Sequence, residues 1–157
     1  MPPASNALRA LVLASVPSGK TDYRLEEQAG HLMRRAHQRH TALFLEMMGT
    51  LELTPTQFAA LAKIKDLGEV TQNHLGRLTA MDPATIQGVV QRLLARGFVE
   101  RRPDPADRRV MVLSLTSIGA RAARDAIARG RAITHATLAP LTAAEQQVFV
   151  NLLRKLS

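Results

Sequence analysis

The chain has 157 residues and carries 21 Lys and Arg against 13 Asp and Glu, a formal net charge of +8. Hydrophobic residues make up 46% of it and charged residues 22%, a balance that suits one folded domain with a buried core and excludes a disordered or collagen-like chain. No apolar run reaches the ~18 residues that cross a bilayer, the lack of cysteine removes disulfide and thiolate chemistry, and the excess positive charge points to a polyanionic partner, nucleic acid ahead of a membrane surface.

Ala7 to Val16 is a short apolar stretch interrupted by Arg9 and followed by Pro17-Ser18-Gly19-Lys20. It makes a poor secretory signal, because its apolar core is short and its start nearly uncharged. Residues 1–20 are read instead as an arm or short helix that packs on a partner, with a frayed terminus as the plainer alternative. From Arg24 to about Leu51, the residues Leu25, Ala29, Leu32, Ala36, His40, Leu43 and Met47 recur at three- and four-residue steps. Met33, Phe44 and Met48 widen that stripe, which predicts a helix buried along much of its length.

Thr54-Pro55-Thr56-Gln57 is a capping box with proline at the first helical position. It predicts a helix from Pro55 to Leu67 that buries Phe58, Leu61, Ile64 and Leu67 before Gly68 ends it. Thr71 caps a short helix through Leu78, with Leu75 and Leu78 inward. After the Ala80-Met81 turn, Asp82-Pro83 opens a helix that runs to Arg96 and stops at Gly97. Phe98 to Arg101 and Val110 to Leu115 read as two strands, joined by the turn chemistry of Pro103-Asp104-Pro105-Ala106-Asp107. Thr116 or Ser117 caps a long helix to about Leu138, Pro140 breaks it, and Thr142-Ala143-Ala144-Glu145 is a second capping box opening the last helix.

Two short helices joined by a tight turn and followed by a basic hairpin spell a winged helix-turn-helix over residues 55–115. In the helix from Pro83 to Arg96, Ile86, Val89, Val90, Leu93 and Leu94 share one face, and Thr85, Gln87, Gly88, Gln91 and Arg92 share the other. The first turn is uncharged, small and polar, so it can approach base edges in the major groove. Gln87 and Gln91 lie one turn apart, each able to form a bidentate pair with adenine. Thr85 can reach a base edge or a phosphate, and Gly88 leaves room for close approach. A solvated polar face on a bundle helix is the competing account. Against it, Arg101, Arg102, Arg108 and Arg109 crowd into the hairpin, where guanidinium groups suit a narrow minor groove or its flanking phosphates. Asp107, two residues before Arg109, can accept its hydrogen bonds and fix its direction.

The run LTPTQFAALAKI, followed by QNHLGRLTAMDPATIQGVVQRLLARGFVERRPDPADRRVMVLSLTSIG, resembles the MarR family of bacterial transcriptional regulators over roughly Arg24 to Leu156. The specific piece is the ordered set of recognition helix, Leu93 to Arg101, Asp107-Arg108-Arg109 and Leu115-Thr116. Pro83-Ala84 departs from the family pattern, in which Ser or Thr is common there. The resemblance implies that Arg109 enters the minor groove while Asp107 braces it. It also implies a homodimer whose first and last two helices interlock. Leu138, Leu141, Val148, Phe149, Leu152, Leu153 and Leu156 offer the apolar surface for this, and an ordinary monomeric bundle is the alternative.

The expected fold is thus mainly α: six helices, a two-stranded β wing and an α-helical dimerisation region. Its expected parts are an arm (residues 1–20), a dimerisation helix (21–53), the DNA-binding winged domain (54–116) and C-terminal dimerisation helices (117–157). The DNA-contacting residues are expected to be Thr85, Gln87, Gly88, Gln91, Arg92, Arg102, Asp107, Arg108 and Arg109.

Family members commonly sense small anionic aromatic molecules. The first long helix offers matching chemistry, with His31, Arg34, Arg35, His37, Arg39 and His40 close together and apolar side chains one or two turns away. His37, His40, Phe44 and Met47 are the expected effector contacts, with Tyr23 covering the cleft. A histidine on an apolar face is as readily a satisfied interface residue. A zinc site from His31, His37 and His40 lacks a cysteine or carboxylate partner. No metal, cofactor, membrane partner or catalysis is expected. The functional expectation is a cytoplasmic, ligand-responsive repressor of double-stranded DNA, released from a pseudo-palindromic operator by a small aromatic acid. The alternative is a constitutive architectural or RNA-binding winged helix. With four Phe, one Tyr and no Trp, base-stacking on single strands is not its design.

Overall fold

The computed structural model describes residues 23–157, so the stretch Ala7 to Val16 lies outside the described residues. The chain divides into two units, Met1–Arg35 and Ala36–Ser157. Within the first, a 3₁₀ turn over Leu25–Glu27 leads into helix α1 (Ala29–Met48), and Arg24 pairs with Glu27 at 3.5 Å.

In the second unit, α1 ends in a 3₁₀ turn over Gly49–Leu51 and is followed by α2 (Pro55–Leu67), β1 (Glu69–Thr71), α3 (Gln72–Leu78) and α4 (Pro83–Ala95). The hairpin β2 (Val99–Pro103) and β3 (Met111–Leu115) comes next, then α5 (Ser117–Leu138) and α6 (Ala143–Leu156). Each helix start is set by its own sequence. Thr54 and Gln57 exchange bonds as a capping box, as do Thr142 and Glu145. Thr71, Asp82 and Thr116 accept the N–H of the third residue on, satisfying donors that the helix itself cannot.

The core gathers one face from each helix and strand of this unit except α6, which buries no residue of its own in the single chain. Leu61 and Ile64 of α2 and Leu75 of α3 meet Ile86, Val89, Val90 and Leu93 of α4, closed by Val70, Val99 and Leu113 of the sheet and Ala123, Ala126 and Ile133 of α5. Gly119 lets α5 start directly against the strand: a Cβ there would stand 1.7 Å from the Phe98 carbonyl oxygen.

The structure differs from the sequence expectations at definite places. The sheet has three strands in the order β1-β3-β2, because Glu69–Thr71 pairs with Val112–Ser114 alongside the expected hairpin. Leu67 and Leu78, expected inward, are exposed; both fall at the last residue of their helices, where no further turn packs beside them. In α1 only Phe44 and Met48 are buried, while Leu32, Met33 and Leu45 are exposed in the single chain. From Ala36 on, α1 runs antiparallel to α5, and each caps the other. Arg39 donates to the Thr137 and Ala136 carbonyls at 2.7 and 3.2 Å, and Arg129 donates to the Met48 carbonyl at 2.6 Å. Both guanidinium groups meet the negative end of the facing helix.

Candidate nucleic-acid interface

Helix α4 presents the face that the periodicity describes. Thr85, Gln87, Gln91 and Arg92 are exposed, and Gly88 is half-buried with nothing within 4 Å of where a Cβ would stand. Ile86, Val89, Val90 and Leu93 anchor the opposite face in the core, so the helix has one orientation available to it. Asp82 starts it by accepting from the Thr85 N–H at 2.9 Å and from the Thr85 hydroxyl at 2.7 Å. Those bonds, the hydroxyl first and the backbone N–H second, hold the Asp82 carboxyl below the usual carboxylate value. They also aim the Thr85 hydroxyl proton at Asp82, which leaves its oxygen to face an incoming donor.

The wing sorts its four arginines into two pairs. Arg102 forms an ion pair with Glu69, and Arg101 donates to the Gln72 side chain at 3.1 Å. Both therefore tie the hairpin to the segment that opens α3, and Arg102, expected at the DNA, is engaged at its base. Arg108 and Arg109 lie in the loop between the strands and are exposed. Asp107 accepts from the Arg109 backbone N–H at 3.0 Å and from its Nε at 3.2 Å, with Nη2 at 3.4 Å from the second carboxylate oxygen. The Arg109 side chain is 91% exposed nonetheless. Asp107 is held below the usual carboxylate value, chiefly by the Arg109 side chain and then by its backbone N–H. The loop is shaped by Asp104, whose carboxylate accepts from the Ala106 and Asp107 N–H groups. The result is a hydrogen-bonded turn presenting a braced, solvent-facing guanidinium, a form suited to a groove of negative potential.

The expected effector residues are distributed differently. Tyr23, in the first unit, is 74% exposed. His37 is exposed, and His40 is half-buried with its Nδ1 2.9 Å from the Thr137 hydroxyl. Phe44 is a core residue at 3% exposure, and Met47 packs against that core. His40, Phe44 and Phe58 form a run of rings, with centroids 6.3 and 5.8 Å apart. Phe58 in turn borders an open cleft of about 860 Å³ between α2 and α5, lined by Ala59, Ala62, Ile127 and Gly130 together with Lys63, Lys65, Arg131 and the Asp66 that pairs with Lys63. The sequence reading missed this cleft. Its one signal is Gly130, inside a helical pattern: a Cβ there would come 2.7 Å from Phe58 Cζ. Part of the basic cluster on α1 is already engaged, since Arg34 bonds His31 at 3.3 Å and Arg39 holds the end of α5. Among the described residues no helix is long and apolar enough to cross a membrane, and no group of three or more His, Asp or Glu side chains is placed to hold a metal ion.

Comparison with known proteins agrees with this layout. Residues 51–110 match the sequence model of the MarR family. The chain is 41% identical to the HTH-type transcriptional repressor NicR of Pseudomonas putida, over 91% of this chain and 90% of NicR. Its structure resembles that of Bordetella bronchiseptica BpsR, whose DNA binding is regulated by 6-hydroxynicotinic acid, with a TM-score of 0.80 and 38% identity over 87% of this chain and 97% of BpsR. It also resembles a mutant MarR from E. coli complexed with operator DNA, with a TM-score of 0.74 and 28% identity over 81% of this chain and 91% of that one.

Proposed function

Because the chain belongs to the MarR family, and is thereby a ligand-responsive DNA-binding transcriptional regulator, we propose that it is a homodimeric, cytoplasmic repressor that leaves its operator when a small aromatic acid binds. The observation that carries the DNA-binding half is the wing. A fully presented Arg109, braced by Asp107, projects from the same lobe that exposes Gln87 and Gln91 on α4. Gln87, Gly88, Gln91 and Arg92 then read the major groove, with Thr85 at its edge, while Arg108 and Arg109 take the minor groove or its phosphates. Arg102 acts through Glu69, fixing the base of the wing rather than touching DNA.

Val148, Leu152, Leu153 and Leu156 stand exposed along α6, a row of large apolar side chains whose removal from water favours burial by a second copy. A two-fold pair would place its recognition helices about one DNA turn apart, so the operator is pseudo-palindromic. The likeness to BpsR, whose DNA binding is regulated by 6-hydroxynicotinic acid, supports an effector of that type. His37, His40, Phe44 and Met47 remain the proposed effector contacts, with Tyr23 kept as a further candidate, and the ring run through Phe44 to Phe58 links the first four to the cleft between α2 and α5. Linkage requires such an effector to bind the DNA-incompetent conformation more tightly than the competent one.

The experiment is an operator titration with and without 6-hydroxynicotinic acid, on a site found by genome-wide footprinting. The acid is expected to weaken binding by the wild-type chain, and His40→Ala to blunt that response while DNA affinity stays near normal. Leu152→Glu is expected to give a monomer by sedimentation and to lose the operator. A response unaltered by His40→Ala would take the effector away from α1, and a monomeric wild-type chain would end the dimer.

A further inference from the structure

The connection between α1 and α2 is held by two guanidinium groups that come from different elements. Arg129, in α5, donates to the Met48 carbonyl at 2.6 Å and the Met47 carbonyl at 3.4 Å. Arg96, the capping residue at the end of α4, donates to the Leu51 and Glu52 carbonyls at 2.8 and 3.1 Å. Between the two grips the backbone is tightly wound: Gly49 and Glu52 have φ of 48° and 46°. A Cβ at residue 49 would stand 3.2 Å from Arg129 Nη1, so the glycine leaves the room that the guanidinium uses. The Met47 and Met48 carbonyls end α1 and lack intrahelical partners, and the ionised guanidinium donors make the bonds of both grips charge-assisted. The Arg96 guanidinium also lies 4.5 Å from the Phe98 ring centroid, which fixes its plane.

We propose that Arg96 and Arg129 are positioning residues that convert a displacement of α1 into a change in the aim of the recognition helix α4. This rests on the reading of the protein as an effector-released repressor and supplies the route by which release reaches DNA. Met48 and Glu52 are separated by one short segment, so the end of α1 cannot move without carrying the carbonyls that hold Arg96. Arg96 terminates the helix whose exposed face carries Gln87 and Gln91, and it lies at the far end of that helix from Thr85. Neither arginine belongs to the set assigned to DNA or to effector. The coupling therefore has a physical carrier, the turn between α1 and α2, gripped by α5 on one side and by the end of α4 on the other.

A double-mutant cycle on operator binding by the full chain tests this without any effector. Arg129→Ala is expected to lower operator affinity about tenfold in the wild-type background and less than about twofold when Arg96 is already alanine. Equal losses in both backgrounds would overturn the proposal. If an alanine variant melts early, Arg96→Lys and Arg129→Lys, which keep one cation for one carbonyl, are read by the same cycle at a temperature where circular dichroism shows them folded. A second arm uses 6-hydroxynicotinic acid as probe. Arg96→Ala should bind it in the absence of DNA as the wild type does, by calorimetry, while the effect of the probe on operator affinity shrinks about fivefold or more. An undiminished effect in Arg96→Ala also overturns the proposal. A probe that leaves the wild type on its operator removes the proposed effector class, and the cycle still decides the role of the two arginines.

Discussion

Asp107 and Arg109 are joined both through the backbone and through the side chain: the carboxylate accepts the Arg109 N–H at 3.0 Å and its Nε at 3.2 Å. The backbone bond fixes where Cα of Arg109 sits, and the side-chain bonds fix where its guanidinium points. An acid on a DNA-facing tip is thereby explained by the arginine it orients. Arg109→Ala should weaken operator binding strongly and lower the slope of log affinity against log salt by about one unit. Asp107→Asn, which keeps size but weakens the brace, should weaken binding while leaving the salt slope near that of the wild type. An unchanged slope in Arg109→Ala would take that residue off the groove and the phosphates.

Gln87 stands free on the exposed face of a helix whose other face is locked in the core. Its replacement by alanine should relax preference at one base pair, at a cost of roughly 1–3 kcal/mol for the preferred base. Binding measured across operator variants checks this, and uniform weakening at every position would move Gln87 to a backbone contact.

Asp82 caps α4 in its ionised form, and its carboxyl lies below the ordinary 3.8 because Thr85 donates to it twice, hydroxyl first. A depressed carboxylate contributes stability that is present above the unfolded value and is lost as pH falls through the lower folded value. The gap in melting temperature between the wild type and Asp82→Ala should therefore be full at pH 7 and narrow below pH 3.8. A gap that persists unchanged into acid would mean that the cap does not depend on the charge.

Gly119→Ala asks for a Cβ 1.7 Å from the Phe98 carbonyl oxygen. The start of α5 would have to move away from β2, and Thr116 would lose its bonds to the Gly97 and Phe98 carbonyls. A cost of about 3 kcal/mol or more is expected, measured by urea unfolding. Gly88→Ala, in open space on the same lobe, should cost far less or add stability through helix propensity.

The helix starts were legible because capping is local. Thr54, Thr71, Asp82, Thr116 and Thr142 each announce themselves within three residues of the N–H they accept. The recognition face was legible for the same reason, since Ile86, Val89, Val90 and Leu93 repeat at helical steps. What the pattern could not give was pairing across distance. Glu69–Thr71 is too short to show a strand period, and it becomes one only because β3 offers it an edge. Arg102 reads as one more wing cation until Glu69 is placed beside it. Arg39 looked like part of an anion-binding cluster, and its partners turned out to be carbonyls nearly a hundred residues away, at the end of α5. Leu32 and Met33 have the spacing of a buried stripe, yet one copy of the chain leaves them exposed.

The reciprocal capping of α1 and α5 limits how this molecule can switch. Arg39 grips the end of α5 while Arg129 grips the end of α1, so sliding either helix along its axis breaks a clasp at both ends at once. The pair is thereby latched against axial sliding, like a bolt held by a catch at either end.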